Sequence, residues 1–371
     1  MTRLLAPGDP APWFHAPALD GNPRYAFHTV AGRWTLMLFT GSAAHDGSIA
    51  AIAEVARNRE LFDDSQACFF GVTVDPADAA ERRIAQALPG IRWLLDYDRA
   101  VSTSFGAIRT GDIGVSYVPH WLLLDPMLRV QAVAALTDGA RIIAALRQCL
   151  AAPITATSAP VLIVPNILPP DLCQRLIALY DGDGGAESGF MREENGITVE
   201  RVDHSHKRRS DYTIDDPALV TELKQRLSRT LRPMIQRAFQ FESKRIERFI
   251  VACYDATTGG YFRPHRDNTT KGTAHRKFAC TINLNSGDYE GGDLTFPEFG
   301  PATYRAPSGG AVVFSCSLLH EALPVTRGRR YAFLPFLYDD EGARMRERNL
   351  AHVAPELQSY RSGLPAEADP F

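Results

Sequence analysis

Two stretches set the reading: ACYDATTGGYFRPHRDN at 252–268 and, fifty residues further on, LLHEALPVTRGRRYAF at 318–333. In the first, one residue separates His265 from Asp267. On a β-strand that spacing sends both side chains to one face, because side-chain direction alternates with period two. His320 arrives in the second stretch, on a different strand. Two imidazoles and one carboxylate on one side of a metal ion form a facial triad. It leaves three positions open to a chelating cosubstrate and O2, an arrangement suited to Fe(II). Arg330 follows ten residues after His320, beyond a turn marked by Pro324 and Gly328. A planar, permanently charged guanidinium near the metal is a suitable bidentate partner for a dicarboxylate. Alone, His-x-Asp describes many surface pairs. Its conjunction with the distant histidine, the arginine and the Gly291-Gly292 pair opening the strand DLTF is far more specific.

The first stretch resembles the metal-strand segment of hypoxia-sensing prolyl hydroxylases. DYEGGDLTF (288–296) and LLHEALPVTRGRRYAF resemble bacterial members of the same superfamily. On these motifs the C-terminal half is similar to the 2-oxoglutarate/Fe(II) dioxygenases of the prolyl-4-hydroxylase-like branch. The resemblance implies a double-stranded β-helix, a jelly roll with flanking helices. It implies His265, Asp267 and His320 as metal ligands and catalytic centre, and Arg330 as the anchor for 2-oxoglutarate. Tyr254 matches a tyrosine lining the cosubstrate pocket, with a core aromatic as the plainer alternative. Asn283 stands where relatives place a polar or aromatic residue against the cosubstrate. Arg276 and Lys277 read as exposed loop residues.

Fe(II), 2-oxoglutarate and O2 are the implied cofactors and cosubstrates, with ascorbate as a candidate accessory. The implied reaction hydroxylates a C–H bond of a protein (prolyl-type) or small-molecule substrate and releases succinate and CO2. Asp267 argues against halogenation, which needs that carboxylate's position. Pro264, directly before His265, departs from the hypoxia-type segment and predicts a strand start or bulge, since proline removes a ladder donor. A reading from a different class is an iron-binding sensor protein on a redoxin scaffold without physiological turnover.

Residues 1–152 alternate buried-strand runs (RWTLMLFT, ACFFGVTVD, IRWLLD, PHWLLLD) with helical spacing at Ser48–Phe62, Ala79–Ala87 and Gly139–Leu150. Such alternation predicts an α/β unit with a parallel-rich sheet. GDPAPWFHAPALDGN and WTLMLFTGSAAHDGS resemble the opening and active-site strand of the peroxiredoxin-like branch of the thioredoxin superfamily. YVPHWLLLD resembles its cis-proline loop, with Pro119 as the candidate. Peroxidase chemistry needs a cysteine thiolate where the loop meets its helix, and the loop GSAAHDGS holds none. His45 and Asp46 read as solvated loop residues and Cys68 as a buried, inert thiol. This half is therefore expected to be a degenerate redoxin domain, the candidate surface for a homodimer or a partner protein.

The expected organisation is a thioredoxin-like domain (1–152), a small-residue linker (153–160), the dioxygenase domain (161–340) and a surface or disordered tail (341–371). Within the second domain, VLIVPNILPPDLCQRLIALYD predicts a strand, a turn and a buttressing helix. Pro217–Phe239 predicts one long amphipathic helix with Leu219, Leu223, Leu227, Leu231 and Ile235 on its stripe. His204-x-His206 has strand spacing that could bind metal, but its polar surroundings favour a substrate-facing loop.

Net charge is −3, from 40 basic and 43 acidic residues, which gives no electrostatic footprint for nucleic acid. Apolar runs are short and proline-broken, so no membrane span is expected, and the N-terminus lacks a signal-like apolar core. Six scattered cysteines without CxxC predict reduced thiols and a cytoplasmic protein.

Overall fold

The computed structural model describes residues 3–111, 114–153 and 157–361. The chain divides into two compact units: residues up to Thr157 together with Pro297–Gly300, and the remainder from Ser158. Of the expected linker, 154–156 lie outside the described residues, as do the last ten residues of the expected tail.

The first unit is a thioredoxin-like α/β fold. Its five-stranded sheet runs, edge to edge among the described residues, Ile91–Leu95, Ala67–Thr73, Trp34–Gly41, His120–Leu124, Val130–Ala135. The first three strands are parallel, and the last two add antiparallel. Strand alternation sends Leu36, Leu38, Phe69, Trp93, Trp121 and Leu123 to one face. There they pack with Ala51 and Val55 of helix Asp46–Arg57 and with Ile142, Ile143 and Leu146 of helix Gly139–Ala151. The expected Ala79–Ala87 helix is instead the short Pro76–Ala80. The Asp75 side chain caps Ala77 N–H ahead of Pro76, starting the helix early, and Arg82 at φ +55 turns the chain away. The cis peptide is Leu88–Pro89, so the Pro119 expectation fails. Cys68 is fully buried beside Thr35, and burial pushes its thiol up to about 11. His45 and Asp46 are exposed at the start of their helix.

The second unit is a jelly roll with helices on one side. Among the described residues its larger sheet runs 162–164, 311–315, 278–283, 329–333, 250–255, 210–213, 186–187, with 336–338 and 245–247 paired alongside. The smaller sheet runs 207–208, 261–265, 320–322, 294–295, 303–304. One face of the larger sheet (Val251, Cys253, Cys280, Ile282, Val313, Tyr331, Phe333) is buried under helices Pro170–Asp183, Pro217–Thr230 and Arg232–Phe239. The long helix expected over 217–239 is thus two. Pro233 has no N–H to give Arg229, and the ladder breaks at Leu231, yet the whole predicted stripe is buried.

From Asp339 to Arg361 the chain is not a loose surface tail. Helix Asp340–Arg348 continues from the last strand, and Val353, Ala354 and Leu357 are buried against Met191, Ile197 and Val199. The apolar spacing there is too sparse to announce a core, which needs the 190–201 hairpin to complete it.

Leu223 has no exposed surface at the centre of the helix–sheet core. Leu223→Ala is expected to lower unfolding free energy by about 2–5 kcal/mol, read as a lower urea midpoint. A change under about 1 kcal/mol would mean the helices are only loosely docked.

Candidate metal and anion site

The two sheets contribute different chemistry. Strand Tyr261–His265 pairs antiparallel with His320–Ala322, and His265 lies directly opposite His320. Between Phe262 and His265 the register shifts, the bulge predicted from Pro264. It lets Phe262 and His265 leave the same face, with their rings stacked at 3.5 Å. Asp267 follows on the loop. The ligand atoms of His265, Asp267 and His320 lie within 4.8 Å of one another, and this is the only such cluster among the described residues. Asp267 Oδ1 is 3.6 Å from His265 Nε2, and Oδ2 is 3.4 Å from His320 Nε2.

Each imidazole is oriented from behind. His265 Nδ1 lies 2.8 Å from Arg263 O, and His320 Nδ1 lies 3.1 Å from Leu318 O. A carbonyl can only accept, so Nδ1 carries the proton and Nε2 turns its lone pair inward. Burial, then the neighbouring His320, lowers His265 to about 4, keeping it neutral and able to ligate. Burial works against the Asp267 carboxylate, but the two histidines outweigh it and hold its pKa far below the usual range. One carboxylate and two imidazole nitrogens converging in this way fit a divalent cation. Phe296 and Phe314 close the apolar side of His320, at 6.3 and 4.6 Å between ring centroids.

On the larger sheet, Tyr254 is the ladder partner of Arg330. The Arg330 guanidinium carbon lies 5.0 Å from the centre of the Tyr254 ring, and its Nη2 donates to Asn283 Oδ1 at 3.4 Å. Asn283 donates in turn to Ala306 O at 3.0 Å. Arg330 is 2% exposed, yet its Nε and Nη1 have no protein partner. These N–H groups of a buried guanidinium are left without the acceptors that burial normally demands. Gly292, at φ +69, passes Arg330 so closely that a Cβ would sit 3.1 Å from its Cδ. The Gly-Gly pair therefore makes room for the arginine. The six residues singled out in the sequence thus fall into two groups, three on the smaller sheet and the loop after it and three side by side on the larger sheet.

The other expectations divide. His204 and His206 do not meet at a metal: His204 pairs with Glu187 at 3.2 Å, while His206 lies between Phe190 and Phe262. Arg276 is no loop cation. It is 4% exposed, donates to both Glu247 oxygens at 2.9 and 2.8 Å, and reaches Asp267 O at 3.4 Å. His275 Nε2 completes the cluster, 2.7 Å from Glu247 Oε2. With Asp267 N–H donating to Cys316 O at 3.0 Å, the ligand's backbone is held at both ends. No local pattern announces this cluster, because Glu247 lies 29 residues from Arg276. Lys207, over the Phe262 ring, and Arg209, bonded to Tyr254 and paired with Asp211, were legible only as an alternating K-x-R-x-D inside a stretch read as loop.

Comparison with known proteins agrees with this geometry. Residues 249–338 match the 2OG-Fe(II) oxygenase superfamily, and residues 7–133 match the AhpC/TSA family. The two matches fall on separate parts of the chain, the AhpC/TSA match in the N-terminal unit and the 2OG-Fe(II) oxygenase match in the C-terminal unit. Among its relatives is a PKHD-type hydroxylase of Synechococcus sp. (strain JA-2-3B'a(2-13)), 32% identical over 131 residues, covering 34% of this chain and 56% of that protein. Another, from Cupriavidus metallidurans, is 26% identical over 184 residues, covering 46% and 74%. The chain spans about half the length of the first of these. Among solved structures, a prolyl hydroxylase of Trichoplax adhaerens in complex with a hypoxia-inducible-factor peptide aligns at 18% identity and TM-score 0.39, covering 51% of this chain and 86% of that one. Mycobacterium tuberculosis AhpC aligns at 20% identity and TM-score 0.33, covering 41% and 97%.

The Glu247 cluster carries its own test. Burial would raise the Glu247 carboxyl, but Arg276 and His275 outweigh it and hold it well below 4.5. Its contribution to stability is therefore full above pH 4.5 and is lost as pH falls toward the depressed folded value, because the unfolded chain binds the proton first. Glu247→Gln leaves Arg276 buried without a counter-charge and should cost about 3–5 kcal/mol at pH 7. Urea unfolding at pH 7 and pH 4 should show the variant closer to wild type at the lower pH. Equal stability at pH 7 would remove the cluster's structural role.

Proposed function

We propose that this chain is an Fe(II)- and 2-oxoglutarate-dependent dioxygenase that hydroxylates a C–H bond of a protein (prolyl-type) or small-molecule substrate and releases succinate and CO2. The observation that carries the reading is the presence, in one domain, of a two-histidine, one-carboxylate donor cluster and a buried arginine whose Nε and Nη1 lack partners. A metal site alone needs no such arginine. A dicarboxylate that chelates the metal at one end and is held by Arg330 at the other satisfies both.

When bound, Fe(II) supplies the oxidative chemistry that couples decarboxylation of the 2-oxo acid to oxygen insertion, with O2 as oxidant and ascorbate as an accessory reductant. The chain's own part is positional. His265 and His320 present Nε2, their tautomers set by the carbonyls of Arg263 and Leu318. Asp267 supplies the negative charge, held on its backbone by Arg276 and Cys316. Arg330 takes the distal carboxylate while Tyr254 and Asn283 keep the guanidinium in place. Phe262, Phe296 and Phe314 keep the metal side dry. The N-terminal domain, whose active-site loop has no cysteine, serves binding: recruitment of substrate, or assembly with a second copy or a partner protein. Six free cysteines suit a reducing, cytoplasmic setting. Among the described residues no helix is long and apolar enough to cross a membrane.

Anaerobic addition of Fe(II) and 2-oxoglutarate should produce a weak visible metal-to-ligand charge-transfer band in the wild type. His265→Ala should abolish it, and Arg330→Ala should raise the 2-oxoglutarate concentration needed by roughly tenfold or more, the loss of a charge-assisted pair. Under O2, the wild type should then release succinate. Iron binding without the band would replace the hydroxylase with an iron-binding sensor on a redoxin scaffold.

A further inference from the structure

Arg330 is not the only buried cation in this domain. Lys207 is the ladder partner of Phe262, so both side chains leave the face on which Phe262 stacks against His265. The Lys207 ammonium lies 5.0 Å from the Phe262 ring centre. Two residues on, Arg209 points the same way and donates to Tyr254 OH at 3.4 Å, its guanidinium carbon 5.8 Å from that ring. Tyr254 is therefore flanked by Arg330 and Arg209, and Phe262 separates Lys207 from the metal ligands.

These charges are poorly balanced. Lys207 and Arg209 are 4% and 8% exposed. Asp211 pairs with Arg209 at 2.6 Å, and Ser188 Oγ is shared among Lys207 (2.7 Å), Arg209 (3.1 Å) and Asp211 (2.6 Å). Lys207 also donates to Gly189 O. Among the described residues no carboxylate comes within ion-pair reach of the Lys207 ammonium, and Arg209 Nε has no partner. A buried ammonium without a counter-ion is costly. Burial, then the charge of Arg209, accordingly pulls the Lys207 pKa well below its usual value. One dicarboxylate cosubstrate answers Arg330 alone and leaves two cations facing one carboxylate across the metal.

We infer that Lys207 and Arg209 form a second anion pocket, facing the metal from the side opposite Arg330, that selects a substrate bearing a carboxylate. This deepens the hydroxylase reading and rests on it. A carboxylate placed between Lys207 Nζ and Arg209 Nε takes the ammonium's remaining N–H, beyond those given to Ser188 and Gly189, and the unpartnered Nε–H, with the adjoining carbon skeleton against Phe262. The carboxylate has two sources, the terminus of a small acid or an acidic side chain in a peptide, and both present the same chemistry.

The test uses the full-length chain loaded anaerobically with Fe(II) and 2-oxoglutarate, and probes matched except for one charge. In one arm, N-acetyl amino acids are compared with their amides. In the other, acetyl-Ala-Glu-Ala-amide is compared with acetyl-Ala-Gln-Ala-amide. Half-saturation is read from perturbation of the charge-transfer band. The pocket predicts that in one arm the carboxylate binds about tenfold tighter or better than its neutral counterpart, as a charge-assisted bond implies. A preference in the first arm marks a small acid, and in the second an acidic peptide. Lys207→Met and Lys207→Gln should each cut that preference below threefold while the band persists, which also shows that they are folded. The inference is overturned if neither arm discriminates in the wild type, or if both variants keep the preference. It also falls if Lys207→Met weakens 2-oxoglutarate as much as Arg330→Ala does, since the cations would then belong to the cosubstrate. Absence of the band in the wild type would sink the hydroxylase reading instead, a separate and visible failure.

Discussion

The second domain depends on a single antiparallel rung, His265 opposite His320. Directly opposed side chains leave a sheet on the same face a few ångströms apart, so this pairing alone delivers two imidazoles to one point. The third donor, Asp267, comes from the turn just past the end of the His265 strand. Everything around the rung protects that convergence. A proline bulge turns Phe262 onto His265, carbonyls hold both Nδ1 protons, and Arg276 and Cys316 clasp the backbone of Asp267. None of these contacts is strong alone. Together they keep three polar groups oriented inside an apolar shell, where any that strayed would lose its partner to desolvation.

Charge is distributed in this domain by sheet. The small sheet carries the donors that neutralise a cation, and the large sheet carries guanidinium groups that ask for anions. Between them, Tyr254 and Phe262 act as spacers whose ring faces tolerate a cation nearby. Buried N–H groups on Arg330 and Arg209 are left without a protein partner.

The N-terminal domain shows a converse case, a complete fold whose loop after the central strand holds no cysteine. The sheet, its two covering helices and the interdigitated core of Leu36, Phe69, Trp93 and Trp121 are complete. The loop that would need a thiolate carries Ser42, Ala43 and Ala44 instead, and Cys68 is sealed in a strand where desolvation keeps it protonated. Packing a core and activating a nucleophile are separable demands.

Local pattern was enough for much of this. Period-two spacing at His265-x-Asp267, the Gly-Gly opening and the arginine after its turn were legible because each is a property of a few neighbouring residues. So were the buried strand runs, the helical stripe from Leu219 to Ile235, and the missing cysteine. What the sequence could not disclose depends on distant partners. Pro233 splits a helix whose apolar stripe reads as continuous, because the stripe records burial and not hydrogen bonding. Arg276 looks like a loop cation until the 245–247 strand brings Glu247 to it, and His204-x-His206 looks like a ligand pair until Glu187 and two phenylalanines take its members apart. Val353 and Leu357 look like tail until a hairpin about 150 residues away in sequence covers them. The residue types that can do the chemistry were set by the sequence itself. Which of them are buried, paired or left wanting a partner was decided by the tertiary structure, because desolvation and charge pairing act between groups that only folding brings together.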